Sequence, residues 1–138
     1  MIVVDTNVLV YAIVQLPQTA FARQVATVDP DWVVPPLWHF EFTSAVTTLV
    51  HGLALSASQA EAAINYAEQL TAGREMSVDQ VAVFRAAIAF NLSAYDAQYV
   101  ALAEMLKIRC VTADARIVRN APAVAVSISE FVAPAKGP

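Results

Sequence analysis

Cysteine, histidine and glycine are scarce in this chain, at one, two and three copies in 138 residues. The lone Cys110 excludes an intramolecular disulfide framework and suits a reducing, cytosolic compartment. One thiol and two imidazoles are too few for a structural zinc site of the usual kind. There is no glycine-rich phosphate loop, no internal repeat and no block of like charge. No basic region precedes the apolar N-terminal run, so a signal peptide is not expected. The uncharged stretch 42–60 contains Thr43, Ser44, Thr47, Thr48, His51 and Gly52, which makes it a poor membrane span.

Charge is also in short supply. Charged residues make up 14% of the chain against 58% hydrophobic ones, and the mean hydropathy is +0.54. That balance calls for a large core, or for a partner subunit covering part of the apolar surface. The length suits one domain. The net charge of −4 and pI of about 4.9 argue at face value against nucleic-acid binding, which leaves a basic footprint. Carboxylates gathered around bound cations would reverse the local field, so composition alone leaves that question open.

Short apolar runs alternate with helical patterns. IVV at 2–4 reads as a buried strand, followed by a helix broken at Pro17 and a second one through FARQVATV. DWVVPP reads as a strand stopped by Pro35 and Pro36, and LWHFEFTSAVTTLVHG as a helix ending near Gly52. A helix over SASQAEAAINYAEQLTAG has a serine start and a glycine stop. The segment around Met76 is a candidate strand, and DQVAVFRAAIAFNL and SAYDAQYVALAEML are two further helices. KIRCVTAD is a strand followed by a helical turn, and AVAVSI is a candidate last strand. Strands alternating with helices indicate an α/β domain with a mainly parallel sheet, in which ligands sit beyond the carboxyl ends of the strands.

The 12 acidic residues divide by surroundings. Glu61 and Glu68 share a polar stripe, Glu104 faces away from its helix's apolar side, and Asp29, Asp31, Glu75 and Asp79 fall in loops or at element starts. These are expected on the surface, while Glu130 has no evident place. Four others are less comfortable. Asp5 and Asp114 end strands, where each can serve as a helix N-cap. Asp96 lies on an apolar helix face, three residues after Ser93 in capping-box form. Glu41 borders the stripe of Trp38, Phe42, Ala45 and Leu49, from which it could reach water. Each has an ordinary explanation alone. Together they would place four carboxylates near the same strand ends, and such a set cannot stay ionised without cations. Oxygen donors without histidine or thiol select magnesium or manganese, ions that polarise a phosphodiester and activate a water.

DTNVLV at the N-terminus, FEFTSAV opening on a glutamate, SAYDAQYVALAEML and VTADARIV form an ordered set that resembles the PIN-domain ribonucleases. Within them the chain looks most like the toxin subunits of VapBC-type toxin–antitoxin pairs. The resemblance runs from residue 2 to about Ser129. It implies a three-layer α/β/α sandwich around a mainly parallel sheet of four to five strands, over residues 1–132, with a loose tail at 133–138. The family's acidic quartet maps onto Asp5, Glu41, Asp96 and Asp114, as catalytic residues and metal ligands. Thr6, Asn7 and Thr112 match its hydroxyl and amide companions, and Ser44 is a weaker candidate. The resemblance further implies Mg2+- or Mn2+-dependent RNA cleavage leaving 5′-phosphate and 3′-hydroxyl ends. It also implies a homodimer and an antitoxin partner occupying a groove. Arg116 and Arg119 are candidate RNA contacts because they closely follow Asp114.

Other classes fit less well. Haloacid-dehalogenase-like phosphatases want a second aspartate where this chain has Asn7, and a receiver domain wants a lysine that neither Lys107 nor Lys136 supplies. A housekeeping RNA-processing nuclease and a catalytically silent PIN-like binding module both stay open.

Overall fold

The β-branched run at the N-terminus forms β1 (Ile2–Val4), buried at every position. The structure, a computed structural model, describes residues 1–135 and 137; of the expected loose tail, Lys136 and Pro138 lie outside the described residues. Beyond β1 come α1 (Thr6–Ile13) and α2 (Thr19–Val28), separated at Pro17, where Thr19 Oγ1 donates to the carbonyl of Val14 at 2.6 Å. Next are β2 (Trp32–Val33), α3 (Trp38–His51), α4 (Ala57–Thr71), α5 (Gln80–Phe90) and α6 (Ala94–Leu106). β3 (Cys110–Thr112), α7 (Ala115–Asn120), β4 (Ala125–Ser127) and α8 (Ile128–Val132) complete the chain.

Serine and aspartate start most of these helices, because their side chains accept from the unpaired N–H groups of the first turn. Ser56 and Gln59 form a full capping box on α4, Asp79 caps α5 and Ser93 caps α6. Asp5 caps α1 and Asp114 caps α7.

The four strands run parallel in the order β2-β1-β3-β4. Alternation along β1 divides the core, as the period of two requires. Ile2 and Val4 pack with α1, α2, α3, α4 and α8, and Val3 packs with α5, α6 and α7. The result is the three-layer α/β/α sandwich, with four strands among the described residues. The segment around Met76 is no fifth strand. Glu75 makes one isolated parallel bridge to Val34, and the Met76 N–H donates to the Val34 carbonyl at 3.0 Å. Pro35, which follows Val34 and lacks an N–H, cannot extend that ladder. Glu130, unplaced by its sequence, is exposed in the first turn of α8, where Ser127 accepts from its N–H.

The chain leaves β1 for β2 on one side and returns through α3 to α6 to β3 on the other. The strand order therefore reverses between β1 and β3, and open parallel sheets form their ligand crevice at such a point. No helix among the described residues is long and apolar enough to cross a membrane.

Leu9, fully buried on the inner face of α1, anchors that helix in the larger core. Leu9→Ala should lower the unfolding free energy by about 2–5 kcal/mol in urea denaturation.

Candidate active site

Asp5 immediately follows β1, so the strand that buries IVV also fixes the position of this carboxylate. The residue is 7% exposed. Its Oδ1 accepts from the Thr6 N–H at 2.7 Å, and its Oδ2 from Thr112 Oγ1 at 2.8 Å and Asn7 Nδ2 at 3.3 Å. Thr112 stands at the end of β3, completely buried, and its hydroxyl oxygen also accepts from the Asp114 N–H at 3.0 Å. Asn7 Oδ1 accepts from the Ala113 N–H at 3.1 Å. Threonine and asparagine thus bind the ends of the two neighbouring strands around one carboxylate.

Asp114 lies two residues beyond β3, and its Oδ1 accepts from the Arg116 N–H at 2.8 Å. Asp96 sits in the first turn of α6, its N–H donating to Ser93 Oγ at 3.1 Å. Glu41 comes from the first turn of α3. Rather than reaching for water, it is half-buried and accepts a 2.5 Å hydrogen bond at Oε1 from the hydroxyl of Tyr99. Asp5, Glu41, Asp96 and Asp114 line one cavity of about 410 Å³, together with Thr6 and Asn7. The N-cap and capping roles of Asp5, Asp114 and Ser93 are real, and they leave these carboxylates on the wall of that cavity.

Burial pushes the Asp5 carboxyl up to about 7, against the opposing hydrogen bond from Thr112, and the charge of Glu41 adds to the rise. Burial likewise raises Glu41, with Asp96 adding repulsion against the Tyr99 hydrogen bond. Asp96 is raised by burial and then by the charge of Asp114, while Arg116 draws it back. The pocket therefore holds more negative charge than its surroundings stabilise, which favours a cation. Its donors are all oxygens, which fit a hard divalent ion such as magnesium or manganese. As the side chains stand, no three His, Cys, Asp or Glu groups among the described residues converge on one point. The four carboxylates share a cavity without forming a closed coordination shell.

Other expected participants divide. Thr6, Asn7 and Thr112 join the network. Ser44 is exposed, and it is its backbone carbonyl that accepts from Thr48 Oγ1 at 3.1 Å. One turn beyond Glu41 on α3, its side chain is carried to the solvent face. Arg116 lies beside Asp96, with a guanidinium nitrogen 3.4 Å from the carbonyl of Asn91. Arg119 lines a neighbouring hollow of about 260 Å³ that has Thr112 on its wall and shares Asp114 with the acidic cavity.

Tyr99 was not anticipated. Its sequence surroundings place it on an apolar helix face, and it is indeed fully buried, but its hydroxyl meets Glu41 and Thr6. Its spacing of three from Asp96, which puts the two on one side of α6, was the available signal, since a buried phenol needs a polar partner.

A family model described as PIN domain matches residues 2–122. No curated protein matches the chain significantly.

Two outcomes follow from the network around Asp5. Thr112→Val keeps the shape but removes the donor to a buried carboxylate, and should cost about 1.5–3 kcal/mol in urea unfolding. The second concerns pH. The Asp5 carboxyl moves from 3.8 to about 7, so between those values the folded protein keeps a proton that the unfolded chain has lost. Without added cations, stability should fall as pH rises through that window and level off above it, with Glu41 and Asp96 adding to the slope. In Asp5→Asn the fall should be shallower, as measured by urea unfolding in EDTA at about pH 5 and about pH 8. Parallel profiles for the two proteins would contradict the burial effect.

Proposed function

This chain belongs to the PIN domain family, and from that membership we propose that it is a divalent-cation-dependent ribonuclease acting through Asp5, Glu41, Asp96 and Asp114. The observation that carries this proposal is the single cavity lined by those four carboxylates, at the strand-order reversal between β1 and β3.

A bound Mg2+ or Mn2+ supplies Lewis-acid polarisation of the phosphodiester and activation of water. The protein supplies the frame. Asp5 is held by Thr112, Asn7 and the Thr6 N–H, so it presents a fixed ligand. Asp114, just beyond β3, and Asp96, on α6, bring further carboxylates to the same cavity and would help hold the ion. Glu41 closes the pocket from α3. Arg116, beside Asp96, is the cation best placed to meet a phosphate of the RNA backbone, with Arg119 further out. Cleavage leaves 5′-phosphate and 3′-hydroxyl ends.

The toxin role, in a VapBC-type pair, is the finer part of the proposal. It is supported by apolar surface beyond the site. A second cavity of about 390 Å³, between α1, α2 and α4, has Leu9, Ile13, Trp32, Tyr66 and Leu70 on its walls and Arg23 and Arg74 beside them. Such a cleft suits an antitoxin segment with apolar and acidic side chains. On α5, Val81, Phe84 and Ile88 stay exposed at helical spacing, a face suited to a second copy in a homodimer.

Purified protein should release fragments from labelled RNA in Mg2+ or Mn2+ and none in EDTA. Asp96→Asn should lower cleavage by more than about a hundredfold, beyond the cost of losing an outer partner of a metal site, with its unfolding transition retained. Full activity in that variant would refute the site, and a wild-type protein that binds RNA without cutting it would mark a silent binding module. Growth arrest on expression, relieved by a co-expressed partner, distinguishes the toxin from a housekeeping nuclease.

A further inference from the structure

Tyr99 has no place in the acidic quartet, yet its hydroxyl is where three acid-bearing elements meet. The side chain is fully buried on α6, one turn after Asp96. Its single proton goes to Glu41 Oε1 on α3 at 2.5 Å. Its oxygen is in short contact with Thr6 Oγ1, at the start of α1 beside Asp5. Because the phenol has one proton and gives it to Glu41, the threonine must donate. The relay therefore runs Thr6 to Tyr99 to Glu41, joining residues 93 and 58 positions apart in the chain.

Neighbouring positions on α6, Val100, Leu102 and Ala103, are buried and apolar. Phenylalanine would satisfy the packing at position 99 equally well, so the hydroxyl is explained by what it bonds. One Glu41 oxygen is committed to that bond, which limits rotation of a carboxylate that lines the cavity. Glu41 is the one acidic residue of α3, and Tyr99 makes the close hydrogen bond to its carboxylate.

We propose that Tyr99 is a positioning residue of the acidic pocket, holding the Glu41 carboxylate through the Thr6–Tyr99–Glu41 relay in the orientation that receives a divalent cation. The inference rests on the cation-dependent nuclease proposed above and adds a residue to it.

The test is titration of metal-free protein with Mn2+ alone, followed by electron paramagnetic resonance, on wild type, Tyr99→Phe, Glu41→Gln and the double variant. Tyr99→Phe should weaken Mn2+ binding about tenfold, as loss of an outer partner does. In the Glu41→Gln background the same change should have no further effect, because Tyr99 acts through Glu41. Thr6→Val, which cuts the relay at its other end and leaves Tyr99 packed, should weaken binding in the same direction and serves if Tyr99→Phe fails to fold. Unchanged affinity in Tyr99→Phe would overturn the inference, as would an equal loss in both backgrounds, which is the mark of a merely structural role. Wild type that binds no Mn2+ would overturn the nuclease proposal itself, whereas binding that ignores the relay overturns this inference alone.

Discussion

A carboxylate held out of water at the end of a buried strand constrains most of what surrounds it. Asp5 is fixed by β1, which is enclosed on both faces by helices and on both edges by β2 and β3. Moving it outward would break the sheet. The protein instead brings donors to it: a backbone N–H from α1, an amide from Asn7 and a hydroxyl from β3. Those bonds join the two strand ends at the place where parallel sheets open to ligands. They do not outweigh burial, and the carboxyl stays raised. A group poised this way gains more from a cation than a solvated aspartate would, because its charge is poorly screened.

The other acids reach the pocket by separate routes, and Asp96 and Asp114 are held by local structure with a second use. Asp114 starts α7 and Ser93 starts α6 next to Asp96. The same features that begin a helix therefore aim a carboxylate, since an N-cap places its residue at the open end of a turn. Glu41 depends instead on a distant side chain, Tyr99. Burial, with like-charge repulsion added to it, raises Glu41 and Asp96, and is the counterpart of the cation affinity proposed for the site. It also reconciles an acidic protein with an anionic substrate. In the proposed function, cations held in the pocket would change the sign of the field that RNA meets.

High apolar content divides between interior and surface. Two cores flank the sheet, and the remainder shows as exposed side chains on α5 and an apolar cleft between α1, α2 and α4. The cleft shares no lining residue with the carboxylate cavity.

Much of the fold was legible in the chain. The IVV run, the breaks at Pro17 and Pro35, and the serine and aspartate starts locate strands and helices because they act within a few residues. Met76 misled for the same reason in reverse: a strand exists only if a neighbour can extend its ladder, and Pro35 prevents that. The candidate site was half legible. Residue type and position near strand ends singled out Asp5, Glu41, Asp96 and Asp114, but each also had a local explanation, and the sequence could not say whether they met. Ser44 and Tyr99 show the limit from both sides. Ser44 had the right chemistry one turn from Glu41 and faces solvent, whereas Tyr99 looked like core and binds Glu41. The sequence by itself determined the elements, the strand that buries Asp5 and the set of candidate acids, because propensity, capping and periodicity are short-range. Only the tertiary structure decided which side chains share a cavity and which hydroxyl orients Glu41. Those contacts join residues 58 to 107 positions apart, a separation at which no local rule applies.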